Sequence, residues 1–252
     1  ARDKKAEELR RVHEMAQTFF HNCLTKTHYG EAAKAYLAGR GIGEETIEAF
    51  GVGYAPPAWD KLAVAFQKRG VSAALLEESG LAAKRQKGAG HYDRFRNRVI
   101  IPIRDARGRV VAFGGRILGE GEPKYLNSPE TPIFNKRRLL FGLDRAHRAI
   151  AHAGFAVVVE GYMDAISVAA AGIENVVASL GTAFTAEQAK LLLRYAPEVR
   201  FCYDSDGAGG DASRTCRRTH GGRGGQGAAR ARRQGSRRIH PEIWQGGLPK
   251  AH

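Results

Sequence analysis

Three carboxylates stand where their spacing could do chemistry. The stretch Val157–Asp164 reads VVVEGYMD, and Val199–Gly209 reads VRFCYDSDGAG. In the first, three consecutive valines read as a strand buried on both faces, closed by Glu160 and Gly161. In the second, Asp204 and Asp206 form a D-x-D at the strand's C-terminal end. Ligands of open α/β sheets bind at the carboxyl ends of strands. Alternate strand residues point to one side, so Asp204 and Asp206 can reach one ion together. Oxygen-only donors favour Mg²⁺ or Mn²⁺ over zinc. Taken singly, Glu160 could serve a helix dipole, and the two aspartates could be turn residues before Gly207. At the ends of two buried strands, a shared metal site accounts for all three.

The elements that must position them follow in order. Residues 143–153 read as a helix ahead of the valine strand, and Asp164–Ala171 as a helix after it, closed by Gly172. Val176–Leu180 is a strand. A helix then opens at Thr185, whose T-x-x-Q spacing to Gln188 fits a capping box, and runs to about Tyr195. The alternation of strand and helix implies parallel strands joined by right-handed crossovers.

The preceding part differs in character. Residues 3–21 place Leu9, Val12, Met15, Ala16, Phe19 and Phe20 at helical spacing. Short helices are expected at 31–39, 44–50, 59–69 and 72–79, most of them stopped by glycine. From His91 the pattern turns to strands: Arg98–Arg104 and Val110–Gly115 around a turn at Asp105–Gly108, a β-hairpin. Arg94, Arg96 and Arg98 stand at i, i+2 and i+4, so an extended chain would present all three on one side; a solvated edge strand has the same pattern. The segment PKYLNSPETPIFNKRR combines prolines, aromatics and basic residues, as a phosphate-contacting surface does.

Composition narrows the classes. The chain has 252 residues, 43% of them hydrophobic, enough for one large or two smaller domains. No apolar run is long enough to cross a membrane. The charged start ARDKKAEELRR does not read as a signal peptide, and a cytosolic protein is the default expectation. Cys23, Cys202 and Cys216 form no C-x-x-C pair, so the spacing encodes neither a zinc site nor a disulfide framework. The formal net charge is +14, which favours a polyanionic partner, nucleic acid first. After Asp206, ten Lys and Arg stand against two acids, a net of +8 that leaves +6 for residues 1–206.

Several motifs, in order, carry a resemblance: AKAYLAGRGIGEETIEAFGVGYAP, DRFRNRVIIPIRDARGRVVAFGGR, PKYLNSPETPIFNK, LLFGL, VVVEGYMD, ASLGTAFTAEQ and CYDSDGAG. Up to about residue 210 the chain resembles the RNA-polymerase core of bacterial DnaG-type DNA primase. The resemblance implies an α/β protein. Residues 1–150 would form a basic α+β N-terminal subdomain and 151–210 an incomplete TOPRIM domain, a Rossmann-like parallel sheet, here truncated. Glu160, Asp204 and Asp206 would hold Mg²⁺ or Mn²⁺, with Gly161 and Asp164 supporting the turn at Glu160. Arg94, Arg96, Arg98, Lys124, Asn127 and Lys136 would line the template and nucleotide path. The implied activity is synthesis of short RNA primers from ribonucleoside triphosphates on a single-stranded DNA template, in the bacterial cytoplasm at the nucleoid. The replicative helicase is the implied partner of the full-length protein. The family's zinc-binding module and helicase-binding region are expected outside this segment. A topoisomerase or nuclease on the same TOPRIM scaffold is disfavoured, because no motif suggests a nucleophilic tyrosine domain. The rival is a catalytically impaired nucleic-acid-binding fragment.

Residues 211–252 depart from the family pattern. Glycine and arginine dominate and no strand or helical period survives, so a disordered tail and an exposed sheet edge are expected. One reading is a basic tail that binds nucleic acid nonspecifically; the preferred expectation is a frameshift. With suitable synonymous codons, QGSRRIHPEIWQGGLPK (Gln234–Lys250) reads KDPDEYIRRFGKEAFLK one nucleotide later. That string carries the acidic D-P-D motif that the family places downstream. As written, Gly235-Ser236-Arg237-Arg238 stands in its place.

Overall fold

The computed structural model describes residues 2–85, 88–181, 183–204 and 214–220; for Arg2, Asp204 and residues 214–220 the backbone path alone is described. The chain divides into two units, residues 1–139 and 140–252.

In the first unit a long helix α1 (Arg2–Thr25) buries Leu9, Val12, Ala16, Phe20 and Leu24 on one stripe, the spacing of a single helix face. Short helices α2 (Glu31–Ala38) and α3 (Glu44–Phe50) follow. Then come strand β1 (Gly53–Ala55), helices α4 (Lys61–Gln67) and α5 (Ala73–Glu78), and a small antiparallel hairpin of β2 (Ala82–Lys84) and β3 (His91–Asp93). The expected hairpin is present as β4 (Arg98–Arg104) and β5 (Val110–Ile117). Asp105 holds its turn, accepting from the backbone N–H groups of Arg107 and Arg109 and from the Arg109 guanidinium. Strand β6 (Tyr125–Asn127) completes an antiparallel sheet of order β1-β4-β5-β6. Val12, Ala16 and Phe20 of α1 pack with Ile100, Phe113, Phe95, Leu62, Phe66 and Leu76 in one core. The three-residue strands β1, β2, β3 and β6 lie where turn residues dominate the sequence. They are too short to display a period, and they exist because longer neighbours pair with them.

The second unit opens with helix α6 (Leu143–Ala153), then strand β7 (Phe155–Val159), helix α7 (Tyr162–Ala170), strand β8 (Val176–Ala178), helix α8 (Ala186–Leu192) and strand β9 (Glu198–Asp204). Strand β7 is central and parallel to both β8 and β9, as the strand–helix alternation requires. Val158 and Val177 of the sheet pack with Leu143 and Ile150 of α6 and Leu192 of α8. The capping box at Thr185 and Gln188 is formed in both directions.

Two expectations are corrected here. The edge of β9 is not open: β10 (Arg214–His220) pairs antiparallel along its whole length, from Arg214↔Asp204 to His220↔Glu198. Ladder hydrogen bonds belong to the backbone, so a segment without side-chain period can still pair. Cys202 is disulfide-bonded, whereas Cys23 is a free buried thiol. Local spacing could not encode this, because a disulfide depends on which segments the fold brings together. Within the tail expected to be disordered, 211–252, residues 214–220 form a strand instead; 211–213 and 221–252, including the Gly235–Arg238 stretch expected to replace the acidic motif, lie outside the described residues, and so does the frameshift expectation.

Candidate functional site

The acidic part of the site is built by strand ends. Glu160 follows β7 directly and is exposed. Its backbone carbonyl accepts a hydrogen bond from the Ser179 hydroxyl at 3.1 Å, and the Ser179 N–H donates to the Val159 carbonyl at 3.4 Å. The turn is thus clamped to the end of β8. Gly161 caps α7 in an extended conformation, and a Cβ there would stand 3.3 Å from the Asp164 carboxylate. Asp164 lies in the first turn of α7, where its negative charge suits the helix dipole.

Parallel register decides where the partner carboxylate comes. Val158 pairs with Phe201, so two residues further along Glu160 stands level with Tyr203, one residue before Asp204. Electrostatics agree: burial pushes the Tyr203 phenol up, and the nearby Glu160 charge pushes it further. Glu160 and the backbone of Asp204 therefore share one edge of the sheet. The Asp204 side chain and all of Asp206 lie outside the described residues. Among the described residues no group of three His, Cys, Asp or Glu side chains converges. The donors in this region are carboxylate oxygens, which suit a hard divalent cation.

The basic residues behave differently from an extended run. Asn97 has a positive φ of 49°, which breaks the alternation between Arg96 and Arg98. The residue is held there on every side. Its side-chain oxygen accepts from the Tyr54 hydroxyl at 2.8 Å, its amide donates to the Leu118 carbonyl at 3.0 Å, and its N–H donates to the Pro56 carbonyl. Arg98 is buried, 5% exposed, and donates to the carbonyls of Pro123 at 2.9 Å and Gly115 at 3.4 Å. It holds the backbone beside Lys124. The glycine at 115 makes room, since a Cβ there would stand 2.8 Å from the Phe95 ring and 3.0 Å from Arg98 Cδ. Arg94 is half-buried, and its N–H donates to the Leu81 carbonyl. The three arginines therefore do not share one side. Lys124 is exposed, Asn127 is on β6, and the Lys136 N–H is anchored on the Glu130 carboxylate at 2.9 Å.

Two clusters of aromatic rings and guanidinium groups were not found by reading motifs. In the first, Arg96 lies over the rings of Trp59, at 4.6 Å, and Tyr92, at 5.1 Å, and those rings stack 5.2 Å apart. Trp59 is 53% exposed, so this is a surface platform. In the second, Arg40 and Arg116 lie over the Tyr36 ring at 5.2 and 5.4 Å, and Arg116 also lies over Tyr125 at 5.6 Å. Antiparallel pairing of Arg116 with Tyr125 sets that contact. Exposed aromatics stacked with arginine are the standard means of holding unpaired bases. The available signal was Trp59 and Tyr125 standing among glycines, prolines and basic residues. Their partners come from distant segments.

Comparison with known proteins places the chain in a family. The family "DNA primase catalytic core, N-terminal domain" matches residues 19–147, and a Toprim-like family matches 157–234. A DNA primase of Halalkalibacterium halodurans is 49% identical over 202 residues, covering 80% of this chain and 34% of that one. A DNA primase of Pseudomonas putida is 45% identical over 198 residues, covering 79% and 30%. The chain thus spans about a third of the length of these curated relatives. Among solved structures, a DnaG primase catalytic domain bound to single-stranded DNA superposes with a TM-score of 0.74 at 42% identity, covering 81% of this chain and 65% of that one. The RNA polymerase domain of Mycobacterium tuberculosis primase DnaG gives 0.74 at 36% identity, covering 79% and 67%. The chain belongs to the DnaG-type DNA primase family, and its fold is that of the catalytic core.

Proposed function

We propose that this chain carries the catalytic core of a DNA primase, a nucleotidyltransferase that extends short RNA primers on single-stranded DNA. The observation that carries the reading is the parallel β7–β9 register, which brings Glu160 and the position of Asp204 to one sheet edge. The oxygen of a primer 3′-hydroxyl bonds to the α-phosphorus of a ribonucleoside triphosphate, the bond to the bridging oxygen breaks, and pyrophosphate leaves. Glu160, Asp204 and Asp206 would hold Mg²⁺ or Mn²⁺, which lowers the hydroxyl's pKa and neutralises phosphate charge when bound. Gly161 and Asp164 shape the turn that presents Glu160. Trp59, Tyr92 and Arg96 stack template bases, Arg94 adds positive charge, and Arg98 keeps Lys124 in place. Arg40, Arg116, Lys124, Asn127 and Lys136 face phosphates of template or nucleotide. The replicative helicase is the proposed partner of the whole protein, and the bacterial cytoplasm, at the nucleoid, its place. No described helix is long and apolar enough to cross a membrane.

Incorporation of labelled ribonucleotides on a single-stranded template tests the reading. Incorporation should require Mg²⁺ or Mn²⁺. Glu160→Gln should lower it by at least about 100-fold, since even residues one shell behind metal ligands cost 10–100-fold. Binding of single-stranded DNA should stay within about twofold and weaken steeply with salt. Metal-independent incorporation, or full activity of Glu160→Gln, would refute the assignment. A second reading, a nucleic-acid-binding fragment with impaired catalysis, is favoured by Gly235-Ser236-Arg237-Arg238 standing where the family has D-P-D. Salt-sensitive binding without incorporation identifies that case.

A further inference from the structure

The Trp59–Tyr92–Arg96 platform is assembled from three segments, and one buried residue bonds to each of them through its carboxylate or its backbone. Asp93 ends β3 directly after Tyr92 and is 5% exposed. Its carboxylate accepts from the N–H groups of Leu62, at 2.7 Å, and Ala63, at 2.9 Å, at the start of α4. Its own N–H donates to the Trp59 carbonyl at 2.8 Å. Its carbonyl accepts from the Arg96 guanidinium. The Asp93 carboxylate therefore ties the strand that carries Tyr92 to the start of α4, just after Trp59, and attracts Arg96, while the backbone of the same residue bonds Trp59 and Arg96.

We propose that Asp93 is a positioning residue for capture of single-stranded DNA: it holds the indole, the phenol ring and the guanidinium in one stack that receives an unpaired base. The inference rests on the reading of this surface as a template site. A neutral side chain would serve less well. An asparagine offers one oxygen where two backbone N–H groups converge, and its amide would point a donor at a donor. It would also remove the attraction that draws Arg96 inward. Burial raises the Asp93 carboxyl to about 6, and the two backbone N–H bonds and Arg96 oppose that rise. Asp60 adds to the rise and is itself paired with Arg85 at 3.3 Å. The other charged or titratable groups on these elements are Lys61, which lies over the Tyr29 ring, Tyr92, and His91, which pairs with Glu77.

The chain has two tryptophans, Trp59 and Trp244, so Trp244→Phe in the full chain leaves Trp59 as its sole tryptophan, excited selectively at the red edge of tyrosine absorption. Oligothymidylate should quench Trp59, and Trp59→Ala should weaken binding about 10-fold, the scale of one stacked base. Asp93→Asn should remain folded by thermal melt, weaken binding by a similar factor and reduce the quenching. Affinity of the parent chain should fall as pH drops through about 6, where Asp93 gains its proton. His91→Gln should leave the fall in place. In Asp93→Asn the fall should be absent. If Trp59→Ala weakens binding while Asp93→Asn binds and quenches like the parent, the positioning role is refuted and the template surface stands. If Trp59→Ala binds like the parent, both readings are refuted. Should Asp93→Asn unfold, the pH titration of the Trp244→Phe chain decides: affinity and quenching constant from pH 5 to 8 overturn the inference.

Discussion

The two units place functional groups by opposite means. In the second, carboxylates sit at strand ends, and parallel pairing alone brings Glu160 and Asp204 to one edge. In the first, neither aromatic–guanidinium cluster follows from any single element. Trp59 precedes α4, Tyr92 lies on β3 and Arg96 follows it; Tyr36 lies on α2, Arg116 on β5 and Tyr125 on β6. A strand-end site survives changes in surrounding side chains as long as the ladder forms. A stacked cluster needs several backbones held at once, so it is more fragile and its residues are harder to foresee. The basic unit accordingly relies on polar clips such as the buried Asp93 and Arg98 and the half-buried Asn97, while the acidic edge relies on the sheet itself.

Variants can break this contrast. The largest effect is expected at Phe113, fully buried and packed on His13, Phe20 and Phe95. Phe113→Ala should cost about 3–5 kcal/mol and abolish both template binding and the cooperative melt of the first unit. A loss of binding with an unchanged melt would mean that the clusters do not depend on this core. At Asn97, Asn97→Ala should cost about 2 kcal/mol, from two lost hydrogen bonds and the left-handed backbone. Asn97→Gly should cost less, because glycine accepts a φ of 49°. Equal costs for the two would show that backbone strain plays no part there. The smallest effect should come from Thr185→Ala, which removes the capping box of α8 for about 1 kcal/mol. Single-stranded DNA binding should be unchanged by it, and a matching loss of binding would erase the distinction between the units.

Some of this was legible from residues alone. The hairpin of β4 and β5, the central valine strand, the capping box and the strand-end position of Glu160 all follow from period, turn chemistry and spacing, which are local properties. The motifs in order also carried the family. Non-local arrangements were not legible. The run Arg94, Arg96, Arg98 suggested one charged face, yet a single residue at positive φ sends Arg96 to a surface stack and Arg98 into the interior. The strand at Arg214–His220 has no side-chain signature, because it is specified by the open edge of β9.

The amino-acid order by itself determined the longer helices, the β4–β5 hairpin and the central valine strand, and which acids end the buried strands, because propensity and burial act over a few residues. Only the tertiary structure decided that Trp59 meets Arg96, that Arg116 bridges Tyr36 and Tyr125, and that Asp93 is enclosed rather than exposed. Those contacts join residues far apart in the chain, and they form only once a shared core has fixed the backbones that carry them.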